Sequence, residues 1–289
     1  MLEKWRDFVD GEVAEEQVRI SPGDATRRLK GLARYYAADD VGVARLRPHH
    51  IYTHVGRGTG KYGDPITLTH EYALVFTVPM TYNLMRNAPG IGVITESARW
   101  YTEAAKIACA VAEYIRALGY SARAHMDGNY RIILPAVAVD AGLGEIGRLD
   151  LLITKNHGPR VRLGAVTTDL PLIPDKPIVF GVQDFCERCK KCADNCPSNA
   201  ISRGSKRIVR GVEKWITNQE ECYQHWRKIG TDCGLCISVC PYSKPNTFAH
   251  KIIRVAAEQS FISRQIATWS DDIFFGKHPR PMQLPGWMR

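Results

Sequence analysis

"FCERCKKCADNCPSNAI", residues 185–201, decides how this chain is read. Cys186, Cys189, Cys192 and Cys196 follow the spacing C-x2-C-x2-C-x3-C, and Pro197 closes the run. Thiolates are soft ligands that suit iron, and a [4Fe–4S] cube takes one at each corner. In this bacterial type of run the fourth cysteine serves a second cube. A second group is therefore required. "DCGLCISVCPYS", residues 232–243, supplies Cys233, Cys236 and Cys240, again followed by proline, with Cys222 upstream. Eight ligands then close two cubes. The expected grouping is Cys186, Cys189, Cys192 and Cys240 for one, and Cys222, Cys233, Cys236 and Cys196 for the other. Cys222 replaces the usual short first spacing. A pair of zinc sites is the competing use of eight cysteines, and the three-cysteine run with two Cys-Pro endings argues against it.

The rest of the composition agrees. Nine cysteines occur in 289 residues, and crowding eight of them between 186 and 240 suits metal ligation in a reducing compartment better than disulfides. The ninth, Cys109 in "AKIACAVAEYI", reads as a core thiol. No run of about 18 uncharged apolar residues exists, so no membrane span is expected. The first residues, "MLEKWRDFVDGEVAEEQ", lack an apolar signal core and a twin arginine, which points to the cytoplasm. The net charge of +9 would suit an acidic partner such as RNA. The basic residues are scattered, however, and a solvated basic surface accounts for them.

A two-cube module carries single electrons and does not itself transform an organic substrate. The residues before it must hold a redox centre or a docking surface. "SPGDATRRLKGLARYYAADD" (21–40) reads as a helix starting near Ser21 or Asp24. "VGVARL" (41–46) and "YALVFTVPM" (72–80) read as strands. In "SARWYTEAAKIACAVAEYIRALG" (97–119), Trp100, Ala104, Ile107, Ala108, Val111, Ile115 and Leu118 recur at helical spacing, and Gly119 is a natural stop. Short apolar stretches follow at "YRIIL" (130–134), "LDLLIT" (149–154) and "VRLGAVTTDLPL" (161–172), which suggests an α/β or α+β core. "PLIPDKP" (171–177) bridges into the cysteine region. "GLGEIG" (142–147) matches G-x-G-x-x-G, but a dinucleotide fold needs a strand before it and a helix after it. Here "LPAVAVDA" carries Pro135 and "RLDLLIT" looks extended. The glycines instead suggest that backbone approaches something bulky. "GRGTGKYG" (56–63) does not meet the P-loop pattern.

Taken together, "AGLGEIGRLDLLIT", "GPRVRLGAVTTDLPL" and the two cysteine stretches resemble the corrinoid-dependent reductive dehalogenases, over roughly residues 25–250. The resemblance implies an α+β chain: a nitroreductase-like corrinoid-binding α/β domain followed by a C-terminal two-[4Fe–4S] bacterial ferredoxin-like module. The expected boundaries are 1–175 for the corrinoid and substrate domain, 176–248 for the module, and 249–289 for an extension packed on the core. Cobalamin would lie at Gly142, Leu143, Gly144, Glu145, Gly147, Arg148 and Thr168. No D-x-H-x-x-G is present, so the corrinoid would be base-off, without a protein ligand on cobalt. The chain also resembles the epoxyqueuosine reductases, which share this architecture and act on tRNA. Those usually read "AGLGWIGK" and often carry C-terminal helical repeats.

The resemblance further implies a tyrosine proton donor, Tyr101, assisted by Asn129 and Arg162. A tyrosine near its usual pKa of about 10 is a poor donor at neutral pH, and a neighbouring arginine stabilises the phenolate. Structural alternatives are core packing for Tyr101, a turn role for Asn129 and an ion pair for Arg162. Asp127 and Tyr82 are rival donors. The expected function is a cytoplasmic oxidoreductase. It would take electrons from an external ferredoxin- or flavodoxin-type donor, pass them through two clusters to cobalt, and reductively cleave a small substrate such as an organohalide. Epoxyqueuosine reduction on tRNA and plain two-cluster electron transfer are the alternatives.

Overall fold

A computed structural model of the chain describes residues 2–209, 211–245, 273–278 and 280–288. The helices are α1 (Leu2–Trp5), α2 (Pro22–Tyr35), α3 (Tyr82–Met85), α4 (Ile91–Ala117), α5 (Leu134–Asp140), α6 (Val182–Cys189), α7 (Lys191–Asp194), α8 (Gln219–Ile229) and α9 (Leu235–Val239). The strands are β1 (Val41–Arg45), β2 (Tyr72–Pro79), β3 (Ala122–His125), β4 (Glu145–Ile146), β5 (Leu152–Ile153), β6 (Val161–Thr168), β7 (Arg207–Val209) and β8 (Val212–Lys214).

The chain forms two compact units interleaved along the sequence. One takes the residues up to Pro79, then Arg99–Leu143 and Arg162–Ile178; the other takes Met80–Ala98, Gly144–Val161 and the described residues from Val179 onward. The sequence partition at 175 and 248 is linear, whereas here segments 80–98 and 144–161 group with the cysteine-bearing residues. Most of the extension expected over 249–289 lies outside the described residues.

The first unit is built on a sheet in the order β1-β2-β6-β3. β1 and β2 run antiparallel with Val43 opposite Leu74, and β3 runs antiparallel to β6 with Ala124 opposite Val166. The buried stripe of α4, from Ala104 through Ile107, Ala108, Val111 and Ile115, joins Leu29 and Ala33 of α2 and the sheet residues Val43, Leu74, Phe76 and Val166 in one core. Helix α2 starts as its sequence suggests: the Ser21 hydroxyl accepts the Asp24 amide, and Pro22 fills the first turn. "PLIPDKP" has no regular structure. Asp175 ties it to β1 by accepting the Val43 amide at 2.7 Å and an ion pair from Lys30 at 2.6 Å.

Two stretches whose form the sequence left open are defined here. "LPAVAVDA" folds as α5, because Pro135 sits in the first turn, where a missing N–H costs nothing. "YRIIL" forms no strand beyond a single bridge from Ile132 to Ile51.

In the second unit, β4 pairs with β5 and β7 with β8, each antiparallel, and helices α6 to α9 carry the cysteines.

One buried histidine sets a pH limit on the first unit. His50 is 1% exposed; its Nδ1 accepts the Arg47 amide at 3.1 Å and its Nε2 lies 3.3 Å from Asp140. Burial, aided by His49 and Arg47 and opposed by Asp140, lowers its pKa to about 4. The unfolded chain takes up this proton below about 6.5, while the folded chain resists it until about 4. This residue's share of stability is therefore complete above 6.5 and falls by on the order of 3 kcal/mol towards pH 4. Urea titrations at steps from pH 7 to 4 should show that loss, with a flatter profile in His50→Gln.

Candidate functional site

The cysteines sit on short helices separated by tight turns. Gly181 at φ 87° starts α6, which carries Cys186 and Cys189. Lys190 at φ 48° turns the chain into α7, which carries Cys192, and Cys196 follows it. Asn218 caps α8 by accepting the Glu220 and Glu221 amides, and this helix carries Cys222. Gly234, at φ 63°, lies between Cys233 and α9, which carries Cys236 and ends at Cys240. None of these thiols is in a disulfide.

Their mutual influence sorts them. Cys240 is held well above the usual thiol range by burial and by Cys186, Cys189 and Cys192. Cys236 is pushed up to about 12 by burial and by Cys233, Cys222 and Cys196. Cys192 is raised by burial, by Cys236, and by Cys186 and Cys189, so it also feels the other group. Crowded buried thiols that cannot ionise together suit a soft cationic centre that neutralises them, so the donor set fits iron–sulfur ligation.

The first unit holds a second constellation. Arg162 on β6 stacks on the ring of Tyr101 on α4, with the guanidinium carbon 4.4 Å from the ring centroid. Tyr130 belongs to the same group. Burial raises its pKa well above 10, Tyr101 and Asp127 add to this, and Arg162 and Arg57 oppose it. Asp127 pairs with Arg6 at 3.6 Å and Arg57 at 3.5 Å. Asn129 is fully buried. Its Oδ1 accepts from Arg123 at 2.8 Å, and its Nδ2 donates to the Arg6 carbonyl at 2.9 Å and to Thr59 at 3.2 Å.

Known proteins resemble the chain along most of its length. The family described as "Reductive dehalogenase subunit" matches residues 34–172, and "4Fe-4S dicluster domain" matches 185–244. The tetrachloroethene reductive dehalogenase of Desulfitobacterium hafniense is 38% identical over 95% of this chain and 58% of its own length. That of Sulfurospirillum multivorans is 33% identical over 79% of this chain and 52% of its own length. The solved structure of the catabolic reductive dehalogenase NpRdhA aligns at a TM-score of 0.87 with 31% identity, covering 96% of this chain and 40% of that one. This chain belongs to the reductive dehalogenase family. It spans little more than half the length of those two curated relatives. An epoxyqueuosine reductase solved with a tRNA stem loop aligns at a TM-score of 0.52 with 17% identity, a likeness of fold. The α+β architecture with a ferredoxin-like dicluster module stands as expected.

Within this member of the reductive dehalogenase family, the "GLGEIGR" loop does something other than present a surface. A side chain at Gly142, whose φ is 74°, would meet the Lys176 carbonyl at 2.6 Å. At Gly144 it would meet the Ile153 carbonyl, and at Gly147 the Ile153 side chain at 2.8 Å. The close protein neighbours at these three positions are the Lys176 carbonyl and Ile153. Leu143 is buried. The Glu145 carboxylate accepts the Phe180 amide at 2.7 Å and the Val182 amide at 3.3 Å, at the start of α6. Arg148 donates to the carbonyls of Cys186 and Glu187 near the other end of α6. Thr168 is buried, donating to the Ser121 carbonyl and accepting the Leu170 amide.

The remaining rivals are placed as well. Tyr82 lies in the second unit, with Arg160 5.8 Å from its ring centroid. A further group, His49, His50 and Asp140, has metal-like composition. The Arg47 amide donates to Nδ1 of His50, which leaves the imidazole proton on Nε2, the atom a metal would need bare. Sequence reading missed Tyr130 and the bracketing of α6. "DGNY" offered Tyr130 beside Asn129, but only the fold brings it to Tyr101.

Removing the Asn129 amide takes away one acceptor of the buried Arg123, which keeps Asp10 and Thr59, and the donor that Asn129 gives to the Arg6 carbonyl. Asn129→Ala should therefore cost roughly 1–3 kcal/mol of stability, readable as a lower urea midpoint at unchanged slope.

Proposed function

We propose that this chain is the catalytic portion of a corrinoid and iron–sulfur reductive dehalogenase acting on a small organohalide. What carries the reading is the coexistence, in one chain, of two thiol quartets and an arginine-stacked tyrosine. Cys186, Cys189, Cys192 and Cys240 hold one [4Fe–4S] cube; Cys222, Cys233, Cys236 and Cys196 hold the other. Each quartet borrows one thiol from the other run. One solved relative carries the description "Reductive dehalogenase structure suggests a mechanism for B12-dependent dehalogenation", and this supports a corrinoid here. When bound, a corrinoid supplies a cobalt centre that takes single electrons and reduces a carbon–halogen bond.

The chain's own residues do the rest. A ferredoxin- or flavodoxin-type donor delivers single electrons to the cubes. Tyr101 presents its phenol O–H as the proton that replaces the departing halide. Arg162 lies where it stabilises the phenolate that remains. Asn129 holds the turn at 126–129 in place through its three partners. Tyr130, with its pKa far above neutrality, stays a neutral phenol beside the pair. Cluster assembly needs reduced thiols, so the working compartment in this reading is the cytoplasm.

Anaerobic reconstitution should load about eight irons as two cubes. Cys196→Ser and Cys240→Ser should damage different cubes, seen as the loss of different EPR signals; loss of the same signal in both would refute the crossed grouping. Tyr101→Phe keeps the ring and removes the acidic proton. Turnover of a brominated or chlorinated phenol should fall by roughly 10²-fold or more, with iron content unchanged. Arg162→Ala should also slow turnover, and the double variant should lose less than the product of the two, because both act on one proton transfer. Full activity in Tyr101→Phe removes it as donor and leaves Asp127 and Tyr82 to be replaced next.

A further inference from the structure

Arg148 is the largest charged side chain in the fully buried core, at 1% exposure. Its Nε donates to the Cys186 carbonyl at 2.9 Å. One terminal nitrogen donates to the Ser202 carbonyl at 2.8 Å and the Gly204 carbonyl at 3.0 Å, and the other to the Glu187 carbonyl at 3.2 Å. Its flat face lies 4.7 Å from the ring centroid of Trp215, itself 1% exposed. Every partner is a neutral carbonyl or a ring. Among the described residues none is a carboxylate.

That arrangement has a cost. A guanidinium taken from water into a protein interior loses several kcal/mol of hydration, and backbone carbonyls return only part of it. Such a charge is normally retained against an opposite charge. A second cation deepens the imbalance, since the Lys206 ammonium lies 4.9 Å from the same Trp215 ring. Glu145 opposes them at Cys186, and its carboxylate is bonded to the Phe180 and Val182 amides. The surplus of positive charge is therefore directed at the cysteine region. Both Arg148 and Lys206 act on Cys186, and Arg148 also acts on Cys192.

A cube ligated by four thiolates is an anion in every common oxidation state, and it gains one more negative charge when reduced. Net charge, hydrogen bonding and solvent exposure are the levers that set its potential. A permanent buried cation favours the more negative, reduced form and so raises the potential. An arginine fixed by four hydrogen bonds and a stacked ring cannot swing away, and it cannot lose its proton.

We infer that Arg148 is the counter-charge of the cube held by Cys186, Cys189, Cys192 and Cys240, and that it raises the potential of this cube. The inference rests on the ligand grouping proposed above. It makes Arg148 a positioning and tuning residue of the electron path.

The test is an EPR-monitored redox titration of the reconstituted protein with dithionite as reductant, in the wild type and in Arg148→Gln, Arg148→Lys and Cys222→Ser. Cys222→Ser identifies which signal belongs to the other cube. Arg148→Gln should weaken one-electron reduction of one cube by tenfold or more, a fall of about 59 mV in its midpoint. The affected signal should be the one that Cys222→Ser leaves intact. Arg148→Lys keeps the charge with fewer hydrogen bonds and should retain most of the wild-type midpoint, and it decides the matter if Arg148→Gln does not load iron. A purely structural Arg148 predicts instead that Lys shifts the midpoint as far as Gln does, or that neither shifts it, and either result overturns the inference. So does a shift confined to the signal that Cys222→Ser abolishes. Wild-type protein that loads fewer than two cubes overturns the ligand grouping itself; two cubes with an unmoved midpoint overturn the role of Arg148 alone.

Discussion

Eight thiols cannot leave water together and ionise unless positive charge enters with them. That constraint organises the second unit. Burial holds the thiols in their protonated form, and each neighbour pushes the next one further up. The chain answers in two ways. It gathers the thiols into a donor set that suits two iron–sulfur clusters, and it buries a guanidinium against the helix that carries Cys186 and Cys189. Glu145 completes the arrangement at the other end of that helix, where backbone amides and the helix dipole favour an anion. One short loop, 144–148, thus fixes α6 by opposite charges at its opposite ends.

This explains why the cysteine runs were legible in the sequence and the loop was not. Cysteine spacing is set by the geometry of a cube and can be read without a fold. The helical stripe of α4 and the strands β1, β2 and β6 were legible for a similar reason: their periodicity is local. The glycines at 142, 144 and 147 announced a close approach, but a sequence does not say to what. The fold answers with the Lys176 carbonyl and with the backbone and side chain of Ile153. Arg148 and Glu145 looked like groups aimed at a ligand because a charged residue beside glycines usually is. Their partners are carbonyls and amides 35 to 56 residues further along the chain, and only tertiary structure brings those within reach.

Asn129 shows the same limit from the other side. As a residue type it suits a polar pocket, and its position beside Gly128 suits a turn. The fold uses both ends of the amide on Arg6, Thr59 and Arg123, and places Gly58 so close that a side chain there would meet its Oδ1 at 2.6 Å. Tyr101 and Arg162 come from α4 and β6, 61 positions apart, and meet as ring and guanidinium. Motif reading named both residues, and the fold supplied the contact between them and the neighbouring Tyr130.

In the proposed reaction the chain uses one device twice. A tyrosine that gives up its proton becomes an anion, and a cube that takes an electron becomes a stronger one. Each faces an arginine that is charged at every working pH. Lysine would supply the same charge, but from a single ammonium with fewer hydrogen bonds and no flat face to stack on a ring. The guanidinium can stack flat on an aromatic ring and still spread hydrogen bonds around its edge, as Arg148 does between Trp215 and four carbonyls. The cation is thus held in place by neutral groups, and its field remains available to the reacting group. Had Arg148 been paired with a carboxylate, its local charge would cancel, and the electron would lose the bias that the buried cation supplies.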